Sequence, residues 1–246
     1  MDRSLTVALQ DSSFGATWRP GARGQAAERA KTGRRSFLGR GAAAAAAAMA
    51  AFGGRTAQAG NPNYLPSLYA NENVTEFKAI QTHENAHVQY LITAIINAGG
   101  TPRPEPSFVN LTQPNLLAFA QTSQALENTG VGAYLGAAPY IAGGAYVGAA
   151  GSILAIEARH AGYLNVLLDQ VMTYNVDKEA PSFEMPLTAD QVVDLAGPFI
   201  TSLNGGPAIT YSTTPSAAND IAILNFALAL EYLEASFYNV NVPIFT

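Results

Sequence analysis

Apolar residues recur at three- and four-residue intervals over four long stretches of the chain, the spacing of helices that bury one face. The pattern predicts helices over Val74 to Ala98, Asn115 to Tyr140, Ala145 to Tyr174 and Asp220 to Val240. Gly99-Gly100 closes the first, Pro139 breaks the second late, and Pro243 follows the fourth. Residues 175–219 are mixed. Within them Thr188-Ala189-Asp190-Gln191 is a capping-box pattern that announces a short helix. Gly205-Gly206-Pro207 reads as a loop and Ile209 to Ser212 as a short extended piece. Strand signals are scarce. The expected fold is all-α, an antiparallel four-helix bundle with a long linking segment before the last helix.

Polar residues interrupt these apolar faces in an ordered way. Glu-x-x-His occurs twice, as Glu84-Asn85-Ala86-His87 and Glu157-Ala158-Arg159-His160, and uses two of the three histidines. Positions i and i+3 share a helix face, so each copy aims a carboxylate and an imidazole at one spot. Glu127, flanked by Ser123, Gln124, Gly130, Val131 and Tyr134, and Glu231, flanked by Ala227, Leu228, Glu234 and Tyr238, interrupt apolar faces in the same way. An unpaired carboxylate in such a place costs several kcal/mol. Lys78 and Arg159 are the only basic residues in the four predicted helices. Converging carboxylates therefore need either protons or cations. Four glutamates balance two divalent ions, and oxygen with imidazole suits iron, manganese or zinc.

Charge divides the chain. Residues 1–59 hold 9 of the 13 basic and 3 of the 18 acidic residues, which leaves 4 basic and 15 acidic, a net of −11, for residues 60–246. No basic footprint for nucleic acid remains there. The absence of cysteine excludes disulfides, thiolate metal sites and cysteine nucleophiles. Arg34-Arg35-Ser36-Phe37-Leu38, the apolar stretch Gly41 to Gly53 and Ala57-Gln58-Ala59 occur in the order of a twin-arginine export signal. Residues 1–59 are thus expected to be a disordered N-terminus with an export signal, and 60–246 the bundle domain. The expected location is periplasmic, cell-surface or secreted.

At the Glu and His positions the chain resembles the ferritin-like superfamily. The branch it resembles most is the bacterial one related to plant desiccation-related proteins. Leu126-Glu127-Asn128-Thr129-Gly130, Ala133-Tyr134-Leu135-Gly136-Ala137-Ala138, Glu157 to Leu164, and Leu224 to Glu234 carry the likeness. The resemblance implies a two-metal carboxylate centre of Glu84, His87, Glu127, Glu157, His160 and Glu231, with Glu234 the alternative to Glu231. Glu84 with His87 would serve one metal and Glu157 with His160 the other, while Glu127 and Glu231 would bridge or complete the shell. Tyr238, seven residues after Glu231, would be an auxiliary group within reach of the site. In the family the Leu-Glu-Tyr-Leu-Glu helix usually comes first. Here it is last, as in a circular permutant, and it would dock either in its own chain or in a neighbour.

The implied cofactors are two divalent ions, iron or manganese, with zinc as a further choice. Oxygen or peroxide would be the reaction partner, in stress protection, and the protein could form a homo-oligomer. A metal-free protective or binding bundle is the alternative. His83-Glu84-Asn85-Ala86-His87 also matches the zinc-protease pattern, in which both histidines bind zinc. Under the ferritin-like reading His83 only neighbours the centre or is solvated. Residues 128–156 are 29 uncharged positions, long enough to cross a bilayer, but Gly, Ala and Pro139 favour tight packing, and no stable span is expected in the mature chain.

Overall fold

The computed structural model describes residues 61–68 and 70–246. The export-signal positions lie outside them. Four long helices dominate: α1 (Glu72–Asn97), α2 (Leu116–Ala137), α3 (Gly144–Leu167) and, after a short α4 (Ala189–Ala196), α5 (Ala217–Phe245). Two strands, β1 (Ser107–Phe108) and β2 (Ile200–Ser202), pair antiparallel.

Side-chain pairs fix the helix directions. Gln81 meets Asn239 and His87 meets Glu231, so α1 and α5 are antiparallel. Gln124 meets Asn165 and Glu127 meets His160, so α2 and α3 are antiparallel. His83–His160 with His87–Glu157, and Tyr134–Glu231 with Glu127–Tyr238, give the same relation for α1 with α3 and for α2 with α5. Every helix opposes both neighbours, which makes the diagonals parallel. The last helix therefore completes the bundle in its own chain, and the connections 98–115 and 168–216 must each run the length of the bundle.

Polar side chains strap these connections down. Asn225 and Asn241 of α5 accept from the backbone N–H groups of Arg103 and Gln113 at 2.7 and 2.9 Å. The second connection reaches α2, where Leu187 N–H donates to the Gly132 carbonyl at 2.8 Å. A Cβ at Gly136 would lie 1.8 Å from the Leu187 carbonyl oxygen, so only glycine permits this approach. The α2 part of the uncharged stretch 128–156 is thereby accounted for as close packing, whereas a Cβ at Gly144, Gly148 or Gly151 of α3 would meet nothing within 4 Å, and residues 138–143 separate the two parts. Among the described residues one helix, α5, is long and apolar enough to cross a membrane, and it is mostly buried in the bundle.

The helix limits depart from expectation in three places, and in one of them α2 ends at Ala137 and gives way to a 3₁₀ turn over Ala138–Tyr140. α3 stops at Leu167 rather than Tyr174, because Asp169 turns left-handed (φ 62°) and the Asn165 amide donates to the Met172 and Tyr174 carbonyls at 3.0 and 2.7 Å. α5 starts earlier, with Ser216 capping Asn219 N–H, and runs past Pro243 to Phe245. Proline there sacrifices a backbone bond only in the last turn. Ile209 to Ser212 is not a strand. Ile209 and Tyr211 pack on the core, Tyr211 edge-on to Phe226, and the strand lies at Ile200–Ser202. The Thr188/Gln191 capping box is present as expected.

Two apolar clusters line the bundle, interleaved along α5, and some of their largest members flank the centre along the helices on either side. Phe77, Phe119, Phe237 and Leu164 belong to one, and Leu91, Ile95, Ile153 and Leu228 to the other. The buried carboxylates lie in the layer between them.

Candidate metal centre

Each long helix contributes to that layer. α1 brings Glu84 and His87, α3 brings Glu157 and His160, α2 brings Glu127, and α5 brings Glu231 with Glu234 beside it. Glu84, Glu127, Glu157 and Glu231 are 0% exposed. All six residues expected from the sequence converge. They form two groups of four, Glu84–Glu127–Glu157–His160 and Glu84–His87–Glu157–Glu231, and within each group the ligand atoms lie within 4.8 Å of one another. Glu84 and Glu157 belong to both groups. Of the two roles expected for Glu127 and Glu231, bridging or completing, the geometry gives each the completion of one group.

Both groups turn on an imidazole Nδ1. His87 Nδ1 lies 3.1 Å from Glu84 Oε2, 3.1 Å from Glu157 Oε1 and 3.2 Å from Glu231 Oε2. His160 Nδ1 lies 3.0 Å from both Glu84 Oε1 and Glu127 Oε2. A ring nitrogen carries at most one hydrogen, so one Nδ1 cannot satisfy three carboxylate oxygens. Glu84 Oε1 and both oxygens of Glu157 are buried without a hydrogen bond. Orphaned buried carboxylate oxygens around imidazole nitrogens are the donor set of a hard or borderline divalent cation, and the residues present fit two such ions.

Electrostatics agree. Burial, and then the charges of Glu84, Glu127, Glu231 and Glu234, push Glu157 well above the usual carboxylate range. Burial likewise raises Glu231 to about 7, against a hydrogen bond with His87. Burial opposes charge on both histidines, but bonds to Glu231 and Glu84 raise His87 to about 10. The charge of Glu127 and a bond to it do the same for His160. Burial would raise Glu84, yet the two imidazoles beside it, His160 and then His87, bring it to about 2. Without cations, protons must hold the cluster together. Cations would displace them.

Two tyrosines tie the layer crosswise. Tyr238 of α5 donates to Glu127 Oε1 at 2.6 Å, and Tyr134 of α2 donates to Glu231 Oε1 at 2.5 Å. Burial, followed by the charge of the glutamate it meets, raises each phenol well above its ordinary value, so both stay protonated donors. Tyr238 was expected near the centre. Tyr134 was not, although it follows Glu127 by the same seven residues. Gly130, given no role by the sequence motifs, also adjoins the centre: a Cβ there would sit 3.1 Å from Glu157 Oε2 and 3.4 Å from Glu234 Oε1. Glu231, not Glu234, joins the ligand groups, and Glu234 is a further buried carboxyl raised by burial and by Glu127.

The zinc-protease reading fails on geometry. His83 is exposed and meets His160, while His87 points into the other group, and no cluster among the described residues contains both His83 and His87.

A family model described as a ferritin-like domain matches residues 36–170, 135 of the 246 in the chain. The chain belongs to the ferritin-like domain family. Comparison with curated proteins and with solved structures returned no match. The matched range covers the whole of α1, α2 and α3 and ends before α5, so Glu231 and Tyr238 enter this ferritin-like centre from outside it.

Proposed function

We propose that this ferritin-like protein binds two divalent cations, iron or manganese, and uses them in oxidation of Fe(II) by oxygen or peroxide, or, with manganese, in removal of peroxide. The observation that carries the reading is the pair of four-residue groups sharing Glu84 and Glu157. Bound metals would supply one-electron redox chemistry at two adjacent positions. The chain's own residues then have separate tasks. Glu84 and Glu157 serve both positions. Glu127 with His160 completes one, and Glu231 with His87 the other. The phenols of Tyr134 and Tyr238 hold the completing glutamates in place, and the apolar clusters on either side keep bulk water out. The same proposal includes export by the twin-arginine route, which carries folded proteins, and a role in stress protection.

A metal-free bundle is the runner-up, and the orphaned oxygens of Glu157 weigh against it. Elemental analysis of the purified protein decides between them. We expect about two metals per chain from the two ligand groups, and loss of most of them in the Glu157→Ala/His160→Ala variant. Metal content unchanged by that variant overturns the assignment. Fe(II) added in air should give ferric absorbance faster than in buffer, whereas no acceleration with manganese bound selects the peroxide reaction.

A further inference from the structure

His83 is the one histidine outside the ligand groups, and its geometry is specific. Its Nδ1 lies 2.9 Å from Nε2 of His160. The two rings are 7° from parallel with centroids 5.1 Å apart. That separation is the N···N distance plus one radius from each ring. The imidazoles therefore lie edge to edge, nearly in one plane, joined by an in-plane hydrogen bond and not by a face-to-face stack. His160 is thus held at both nitrogens: Nδ1 faces Glu84 and Glu127, and Nε2 faces His83.

The other half lacks this contact. Position 156, which precedes Glu157 as His83 precedes Glu84, is isoleucine and supplies no nitrogen to His87. A ligand histidine needs its second N–H engaged for its tautomer and ring angle to be fixed, and losing that partner typically weakens metal binding about 10- to 100-fold.

We propose that His83 is a positioning residue: it accepts the Nε2 hydrogen of His160, keeps the Nδ1 lone pair turned to the cation, and so makes the two metal positions unequal. This rests on the two-cation reading above. The position completed by Glu127 and His160 fills first, and the position of His87 and Glu231 fills second.

Stepwise calorimetric titration of the metal-stripped full chain with Mn(II) tests it, using His83→Leu and His83→Asn. The asparagine oxygen can stand where Nδ1 stood, and leucine offers no acceptor. Because residue 83 is exposed, both variants should keep the wild-type thermal melt. We expect two resolved steps in wild type, with the tighter one weakened about tenfold or more in His83→Leu and largely restored in His83→Asn. The ¹⁵N spectrum of histidine in the Zn(II)-loaded protein should show His160 protonated at Nε2 in wild type and in the asparagine variant, with a mixed signal in the leucine variant. Two steps unchanged in His83→Leu, or both weakened equally, overturn the proposal while leaving the two-cation reading intact. Wild type that takes up no metal overturns that reading and this one together.

Discussion

α1 and α3 carry matched Glu-x-x-His pairs, and α2 and α5 carry matched glutamates with a tyrosine seven residues on. The centre is close to a repeated plan, broken at two places. Where α1 has His83, α3 has Ile156, and where α5 has Glu234, α2 has Gly130. The second break lies where packing is tight. A Cβ at position 130 would stand 3.1 Å from Glu157 Oε2, so that carboxylate would have to give way slightly, and 3.4 Å from Glu234 Oε1, a near-ordinary contact. The repeated residues thus set the ligand geometry, and the unmatched ones give each position its own charge and hydrogen-bond surroundings. Two metals in one layer need not be chemically equal.

The largest expected effect separates shared from unshared carboxylates. Glu84→Ala or Glu157→Ala should empty both positions, because each belongs to both groups. Glu127→Ala or Glu231→Ala should leave about one metal per chain. Elemental analysis reads the difference, and loss of both metals in all four variants would erase the distinction between the halves. Glu157→Ala carries a second signature. It removes a buried carboxylate whose oxygens have no hydrogen bond, so the metal-free variant should melt above metal-free wild type.

pH is the next lever, and it acts on the metal-free protein. Glu231 rises from an ordinary 4.5 to about 7, and Glu157 and Glu234 rise as well. Acids raised in this way bind more protons folded than unfolded. Their destabilising effect is absent below the ordinary value, grows as pH rises from it to the folded value, and is complete above that. His87 and His160, raised from 6.5 to about 10, contribute stability that is present below 6.5 and lost as pH rises through 10. Both effects run the same way. Glu84, lowered to about 2, acts in the opposite sense and only below its ordinary 4.5. The melting temperature of metal-free protein should fall as pH is raised from 4.5 to 7 and beyond, and metal-loaded protein should hold steady. A metal-free protein that gains stability over that interval would mean that the buried carboxyls are not the dominant titrating groups.

The ligands were legible in the sequence because helical spacing is local. Glu84 and His87 share a face whatever the rest of the chain does, and a carboxylate among apolar neighbours is conspicuous wherever it stands. The four helices were legible for the same reason. Which glutamates are shared was not, since that depends on how four helices meet, and position along the chain treats Glu84 and Glu127 alike. The end of α3 was missed because Asp169 and Asn165 stop it through backbone conformation and side-chain capping, while the apolar pattern continues to Tyr174. The extended piece was misplaced for a related reason: Ile209 and Tyr211 alternate like a strand, but they are anchors of a connection. Gly132 and Gly136 are small because Leu187 lies against them, its side chain on the first and its backbone on the second, a contact that no local pattern announces.

The smallest expected effect is the sharpest test of the crosswise ties. Tyr134 sits on the helix of Glu127 but bonds Glu231, and Tyr238 sits on the helix of Glu231 but bonds Glu127. Removing either hydroxyl leaves a buried carboxylate oxygen short of one charged hydrogen bond, worth about 2 kcal/mol. Both Tyr→Phe variants should therefore destabilise the protein to a similar degree in a denaturant melt. They should differ in stepwise metal titration. Tyr134→Phe should weaken the position of His87 and Glu231, and Tyr238→Phe the position of Glu127 and His160. If each phenylalanine instead disturbs the position completed by the glutamate of its own helix, the tyrosines act through helix position, and the ties between α2 and α5 carry no influence on the metals.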